Sequence, residues 1–353
     1  MLHSYYHSQL STQKLFIVLQ NFDYLCKTQN FLNLYRNNLT LLLISKNKQQ
    51  MKTKQFALIL LTVLLTVSCS CGKKETGCSE KNIGLQMYSL RDPIFNEAIG
   101  IDSVIKAVGE MGYKYVENFG YNEADGLTYG LTPEELKAKL EAVGVTILST
   151  HIRKDIPEVK TEQSLAELWA WWDKAIVDHK AMGAKYLVMP SMPTPETLEG
   201  IKEYADYYNE IGAKCVAAGL KFGYHNHSFE FEKKYELPDG KTISMYDFLV
   251  QNTDPSKVFF QLDVYWAVMG RRAPVELFIE YPGRFDVLHI KDSKELGKSG
   301  MVGFDAIFNN IELAGTKYLI VEVERYNVPP IESVKESLCY LKKAEFVKAN
   351  YAE

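Results

Sequence analysis

The chain reads as an α/β protein whose folded part is one (β/α)8 TIM barrel, a single domain. Three observations lead there. First, short apolar or β-branched runs recur at 83–89, 114–118, 145–151, 186–190, 220–227, 257–264, 285–291 and 317–324. Second, the stretches between them carry the 3.6-residue period of a buried helix face, as in Leu136, Leu140 and Val143, or Val334, Leu338 and Leu341. Such alternation means a parallel sheet covered by crossover helices, and eight units suit a closed barrel. Third, the first run is followed by Ser89-Leu90-Arg91-Asp92-Pro93. A glycine-rich phosphate turn would be expected there in an open doubly wound sheet.

The element ends carry their own signals. Thr132-Pro133-Glu134-Glu135 supplies an N-cap, a proline at the first helical position and early acidic residues. Gly112, Gly144, Gly183, Gly219 and Gly315 each fall where a helix should stop before the next strand. Hydrophobic residues make up 46% of the chain and charged residues 24%, which excludes a disordered chain. Six cysteines in 353 residues are too few for a disulfide scaffold.

Two N-terminal parts stand apart from the barrel. Residues 1–50 hold a single acidic residue, Asp23, and no clean period, so they are expected to be upstream translated sequence outside the mature protein. Met51 then reads as a fresh start: Lys52 and Lys54 precede an apolar stretch from Phe56 to Val67, and Leu65-Thr66-Val67-Ser68-Cys69 follows. This segment, 51–68, resembles a bacterial lipoprotein signal. The resemblance implies lipidation of Cys69 and export to the cell envelope, in the periplasm or at the outer membrane. Cys71 is a weaker alternative, and a plain cleaved signal or an uncleaved anchor stays open. Residues 69–82 suit a short tether to the barrel at 83–353.

Removing residues 1–68 takes away seven of 40 basic and one of 44 acidic residues, so the remaining 285 carry a net charge of -10. An acidic domain repels polyphosphate backbones, so no nucleic-acid partner is expected. The membrane is met through the lipid anchor alone. Homo-oligomer formation stays open.

In a barrel of this kind chemistry gathers at the carboxyl ends of the strands. Read in order, those ends offer Glu117, His151, His225 and His227, Asp263, His289 and Lys291, then Glu322 and Glu324. Residues two apart on a strand share a face, so His225 points with His227, His289 with Lys291, and Glu322 with Glu324. Four of the five histidines after residue 68 fall on these ends; His179 does not. Asp263 and Glu322 follow strongly apolar runs, where a solvated charge is unexpected. Carboxylates and imidazoles converging at one rim call for a cation. Oxygen and imidazole donors without thiolate suit Mn²⁺, Zn²⁺, Co²⁺ or Fe²⁺, with Mn²⁺ foremost and Mg²⁺ also open.

Seven strings carry a family resemblance: LQMYSLRD at 85–92, YVENFGY at 115–121, YHNHSFEF at 224–231, QLDVYWAVMG at 261–270, VLHIKDS at 287–293, GMVGFDAI at 300–307 and YLIVEVE at 318–324. In this order they resemble the xylose-isomerase-like barrels, the sugar phosphate isomerase/epimerase superfamily. The resemblance implies one divalent metal held by His225, Asp263, His289 and Glu322. His225 departs from the family pattern, where a proton-moving glutamate is commoner, so simple two-glutamate epimerisation is put in doubt. Glu117, His151, Lys291 and Glu324 remain as candidate acid–base residues. Tyr88, Phe119 and Trp266, with His227, are the expected substrate contacts, because sugar rings stack their apolar faces on aromatic side chains. Trp169, Trp171 and Trp172 read as helix packing.

The expected activity is isomerisation or epimerisation of a keto or aldo sugar through an enediolate. A keto-sugar dehydratase or 3-keto-glycoside lyase or hydratase is the alternative, and a non-catalytic sugar-binding lipoprotein the second. The expected partner is a small-molecule carbohydrate.

Overall fold

In the computed structural model, residues 80–352 are described. The expected upstream segment, the signal, Cys69 and most of the tether lie outside them. Eight parallel strands close in sequence order: β1 (Gly84–Gln86), β2 (Tyr115–Asn118), β3 (Thr146–His151), β4 (Tyr186–Met189), β5 (Lys221–His225), β6 (Val258–Asp263), β7 (Val287–Lys291) and β8 (Tyr318–Glu322). Every expected run therefore holds a strand. The principal outer helices are α1 (Gly100–Met111), α2 (Pro133–Glu141), α3 (Glu162–Met182), α4 (Leu198–Ala218), α5 (Met245–Asn252), α6 (Pro274–Glu280), α7 (Phe304–Asn309) and α8 (Pro330–Lys343).

The expected end signals are used. The Thr132 hydroxyl accepts from the Glu135 backbone N–H while the Glu135 carboxylate accepts from the Thr132 N–H, a reciprocal cap worth about 1 kcal/mol. Gly112, Gly183 and Gly219 close α1, α3 and α4 with left-handed φ of 87°, 86° and 81°. A side chain at these positions would be strained. The stripes Leu136–Leu140 and Val334–Leu338–Leu341 face the sheet and are buried, whereas Val143 is half-buried. Lys81 is already buried, donating to the Leu341 and Ala344 carbonyls, so the chain docks on the barrel within the last residues of the expected tether.

Two apolar layers result. The larger lies between sheet and helices and includes Cys215, while Cys339 is half-buried. The smaller fills the lower barrel with Tyr115, Leu148, Tyr186, Val188, Phe259, Val287 and Ile320. Large rings fit there because two strands present glycine. A Cβ on Gly84 would come within 2.2 Å of the Tyr115 ring, and one on Gly223 within 2.4 Å of Phe259. This packed plug separates the polar groups at the upper end from a lower-end cluster in which Asp286 pairs with Lys221 and Lys317.

Five of the strands stop short of their apolar runs at the upper end, while β2, β3 and β7 reach it. The run at 83–89 stops at Gln86, whose side-chain oxygen accepts from the Tyr88 N–H and turns Met87–Leu90 into a 3-10 segment. Insertions unannounced by the strand pattern decorate this rim: a hairpin pairing Tyr121–Asn122 with Leu127–Thr128, and another pairing Lys234–Glu236 with Thr242–Ser244. Among the described residues, no helix is long and apolar enough to cross a membrane.

Candidate metal centre

Above the apolar plug, inward side chains become polar. Gln86, Glu117, Ser149, His225, Gln261 and His289 come from six different strands and are all buried. Glu117 is their hub. Its two oxygens accept from Gln86 Nε2 at 2.7 Å, Ser149 Oγ at 2.6 Å, Gln261 Nε2 at 2.7 Å and His289 Nε2 at 2.6 Å, with His151 Nε2 2.9 Å away. Burial alone would raise this carboxyl, but the imidazoles of His151 and His289 hold it well below the usual range.

The hub fixes ring orientations. Gln261 gives its amide N–H to Glu117, so its Oε1 faces His225 Nδ1 at 3.0 Å and His151 Nε2 at 2.8 Å. An amide oxygen accepts, so both of those ring nitrogens carry hydrogen. His225 Nε2, His151 Nδ1 and His289 Nδ1 are thereby left as the free nitrogens.

One storey higher, ligand atoms of His225, Asp263, His289 and Glu322 lie within 4.8 Å of one another, and all four residues are buried. That spread suits donors set about 2 Å around one cation. Two of the atoms lack any hydrogen-bond partner: Asp263 Oδ2 and His289 Nδ1. The other Asp263 oxygen caps the short helix Val264–Met269 through the Trp266 N–H at 2.8 Å, which holds the carboxylate in place. Burial pushes the Asp263 carboxyl up to about 7. Burial pushes His289 down, yet the Glu117 and Glu322 carboxylates raise it to about 10. His225 is driven well below its ordinary value, by burial first and then by the neighbouring imidazoles. A divalent cation would replace these conflicting protonation states with one charge shared among all four donors, so the residues present fit such a group. His151 also approaches the His225 and His289 nitrogens within the same spread.

Lys291 sits beside this cluster with Nζ 2.8 Å from Glu322 Oε2 and 2.7 Å from Glu324 Oε2. Burial would lower the ammonium, but the flanking carboxylates hold it above its ordinary value, so it stays charged. Its Nζ is 5.6 Å from the centre of the Trp266 ring.

A cavity of about 400 Å³ opens onto the cluster, lined by His151, His225, His227, Glu322 and Glu324 on its polar side and by Tyr88, Phe119, Tyr121 and Trp171 on its aromatic side. The expected contacts Tyr88, Phe119 and His227 thus face it. Trp266 does not line it and instead packs 5.4 Å from His227. Glu117, an expected acid–base candidate, lies beneath the floor with no exposed surface, every oxygen engaged and no part in the cavity lining. Trp171, expected to be packing alone, reaches the cavity from α3. Gln86, Ser149 and Gln261 were not singled out as functional; neutral polar residues at strand ends carry no charge signal. His179 is a core residue, its Nδ1 2.7 Å from the Ala175 carbonyl.

Residues 105–344 match the xylose isomerase-like TIM barrel model. The chain belongs to that family. It is 34% identical to a sugar phosphate isomerase/epimerase structure from Parabacteroides distasonis, covering 78% of this chain and 98% of that one with a TM-score of 0.69. Over 207 residues it is 24% identical to inosose dehydratase of Geobacillus kaustophilus, 54% of this chain and 61% of that protein. The chain thus spans about three-fifths of that curated relative's length. It shares its fold with an IolI protein structure that holds a zinc atom, at 15% identity, 75% and 98% coverage and a TM-score of 0.56. Proteins similar to this chain in sequence or fold thus include a sugar phosphate isomerase/epimerase, an inosose dehydratase and, by fold alone, an L-ribulose 3-epimerase.

Proposed function

We propose that this protein is a divalent-metal-dependent isomerase or epimerase acting on a keto or aldo sugar through an enediolate. One observation carries the reading: two imidazoles and two carboxylates converge below an aromatic-walled cavity that His225 and Glu322 line, with a ligand oxygen of Asp263 and a ligand nitrogen of His289 free of hydrogen bonds. When bound, a divalent ion supplies Lewis-acid polarisation of a carbonyl and its neighbouring hydroxyl, worth several kcal/mol. Mn²⁺ is the proposed ion, and the mixed oxygen and nitrogen donors equally admit Zn²⁺.

The remaining work falls to the chain. His225, Asp263, His289 and Glu322 hold the ion; Glu117 and Gln261 orient the two imidazoles from below. Tyr88, Phe119 and Trp171 receive the apolar face of the sugar, and His227 offers a polar contact. His151 keeps hydrogen on Nε2 and presents Nδ1, an imidazole lone pair able to take a proton from carbon. Lys291, buried against Glu322 and Glu324 and outside the cavity lining, keeps its proton and lends the site a positive charge that offsets negative charge developing on substrate oxygen. Glu324, held at the cavity wall by Lys291, is the second group able to return a proton.

A dehydratase or lyase outcome is the second reading, favoured by the likeness to inosose dehydratase. The same enediolate then expels a group from the β carbon. A sugar-binding module needs no buried acid–base groups, and burying them uncompensated costs stability. Attachment to the cell envelope by a lipid on Cys69 belongs to the same proposal; mass spectrometry of the N-terminal peptide from membranes tests it.

The deciding experiment incubates the Mn²⁺-loaded protein in D₂O with free sugars, sugar phosphates and 3-keto-glycosides. Deuterium gained at carbon with the skeleton intact supports the isomerase or epimerase. Loss of water or aglycone supports the second reading. A protein that binds no divalent metal sinks both.

A further inference from the structure

The aromatic wall does not end at the cavity. Tyr88 and Phe119 line it, their rings 5.1 Å apart edge to face, and Phe119 continues outward to Phe95 at 6.1 Å and Tyr129 at 5.3 Å. Phe95 is 65% exposed and Tyr88 39%, an unusual exposure for adjoining large rings. The platform is held deliberately. Tyr129 has φ of 56°, rare for a bulky side chain, and its hydroxyl accepts from the Phe119 N–H at 3.1 Å. The Arg91 guanidinium lies 4.6 Å from the Tyr88 ring centre and donates to the Tyr88 and Glu324 carbonyls.

The charges nearby choose between ligand classes. Arg153 at the cavity wall is bound to both oxygens of Asp155, Lys291 to Glu322 and Glu324, and Arg91 to carbonyls and the Tyr326 hydroxyl. A phosphate entering here would meet Glu322 and Glu324 at the wall and cations already engaged. A second neutral sugar ring would instead find an apolar face continuous with the first.

We propose that Tyr88, Phe95 and Phe119 form a second subsite, so that the preferred substrate is a neutral reducing disaccharide or keto-glycoside whose carbonyl-bearing ring sits over the metal cluster. This rests on the sugar-enediolate reading above and adds the substrate class to it.

The test measures binding by calorimetry to the Mn²⁺-loaded full chain. Glucose, galactose and xylose are each offered beside their β-1,4-linked disaccharides and their phosphate esters. At least one disaccharide should bind about fivefold to tenfold more tightly than its monosaccharide, as one added ring stack would give, and the phosphate should bind more weakly. Phe95→Ala should collapse that ratio and Phe95→Trp should keep it; the exposed ring can be truncated without opening the core. Equal affinities, a ratio indifferent to Phe95→Ala, or tighter binding of the phosphate overturns the subsite. So does concentration-dependent self-association that Phe95→Ala abolishes, since the patch would then be an interface. Monosaccharide binding without a disaccharide preference leaves the enzymatic reading standing. Binding of no sugar at all removes both.

Discussion

Nε2 of His289, on β7, donates to Oε1 of Glu117, on β2, across 2.6 Å. That bond crosses the barrel and leaves His289 Nδ1 facing the cluster of donors above. Glu117 would therefore act on a bound metal from one layer down, as the partner that sets the tautomer and ring angle of His289.

Replacing it tests the claim. Glu117→Gln keeps the shape but turns one acceptor into an N–H facing other N–H groups, and removes the charge. Metal affinity should fall about 10–100-fold, read by competition with a chelating dye while circular dichroism confirms the fold. Unchanged affinity would mean that the hydrogen bond does not position the ligand.

This hub also shows where sequence reading stops. The eight strands were legible because buried parallel strands are continuous apolar runs, and the caps at Thr132 and Gly183 because local chemistry decides them. Asp263 and Glu322 stand out as charges ending apolar runs and His225 and His289 as imidazoles at strand ends, while the grouping of these four rests on the family resemblance. Gln261 did not: a neutral amide at a strand end looks like any other, and its importance lies in joining Glu117, His151 and His225 across long sequence separations. Glu117 is legible as a strand-end carboxylate, but its partners on other strands decide whether it meets solvent, and those are not local in sequence. Trp171 looked like packing because its helix period is sound; only the closed barrel brings that side of α3 to the cavity.

Removing the metal should be felt in stability. A ligand present at 1,000 times its dissociation constant stabilises by about 4 kcal/mol. Chelation should therefore lower the melting temperature of the wild-type protein by several degrees. Asp263→Asn, which weakens a donor whose Oδ2 has no other partner, should melt at the same temperature with and without Mn²⁺. A full metal-dependent shift in that variant would take Asp263 out of the site.

Lys291 separates holding the metal from doing chemistry. Its ammonium and any cation compete for Glu322 Oε2, 2.8 Å from Nζ. Lys291→Met should leave Mn²⁺ affinity equal or higher while proton exchange with solvent falls at least about 100-fold. Parallel loss of metal and exchange would show instead that Lys291 merely supports the site.

The loop carrying His227 has its own titrating anchor. Glu230 is buried, accepting from the Tyr224 hydroxyl at 2.6 Å and from the His227 N–H at 2.9 Å. Burial pushes its carboxyl up to about 7, against the lowering effect of those hydrogen bonds. An unfolded glutamate releases its proton near pH 4.5, so between there and about 7 the folded state holds a proton that the unfolded state has lost. Stability from this group is then complete below pH 4.5 and lost as pH rises through 7, by at most about 1.4 kcal/mol per pH unit. Glu230→Gln cannot titrate and carries a fixed cost from its amide facing the His227 N–H. The difference in urea-unfolding free energy, wild type minus variant, should therefore fall as pH goes from 5 to 7 and level off by 8. Subtracting the variant cancels the titration of the histidine cluster, which both proteins share. A difference that stays flat from pH 5 to 8 would show that Glu230 is already ionised in the folded protein and that its two hydrogen bonds outweigh its burial.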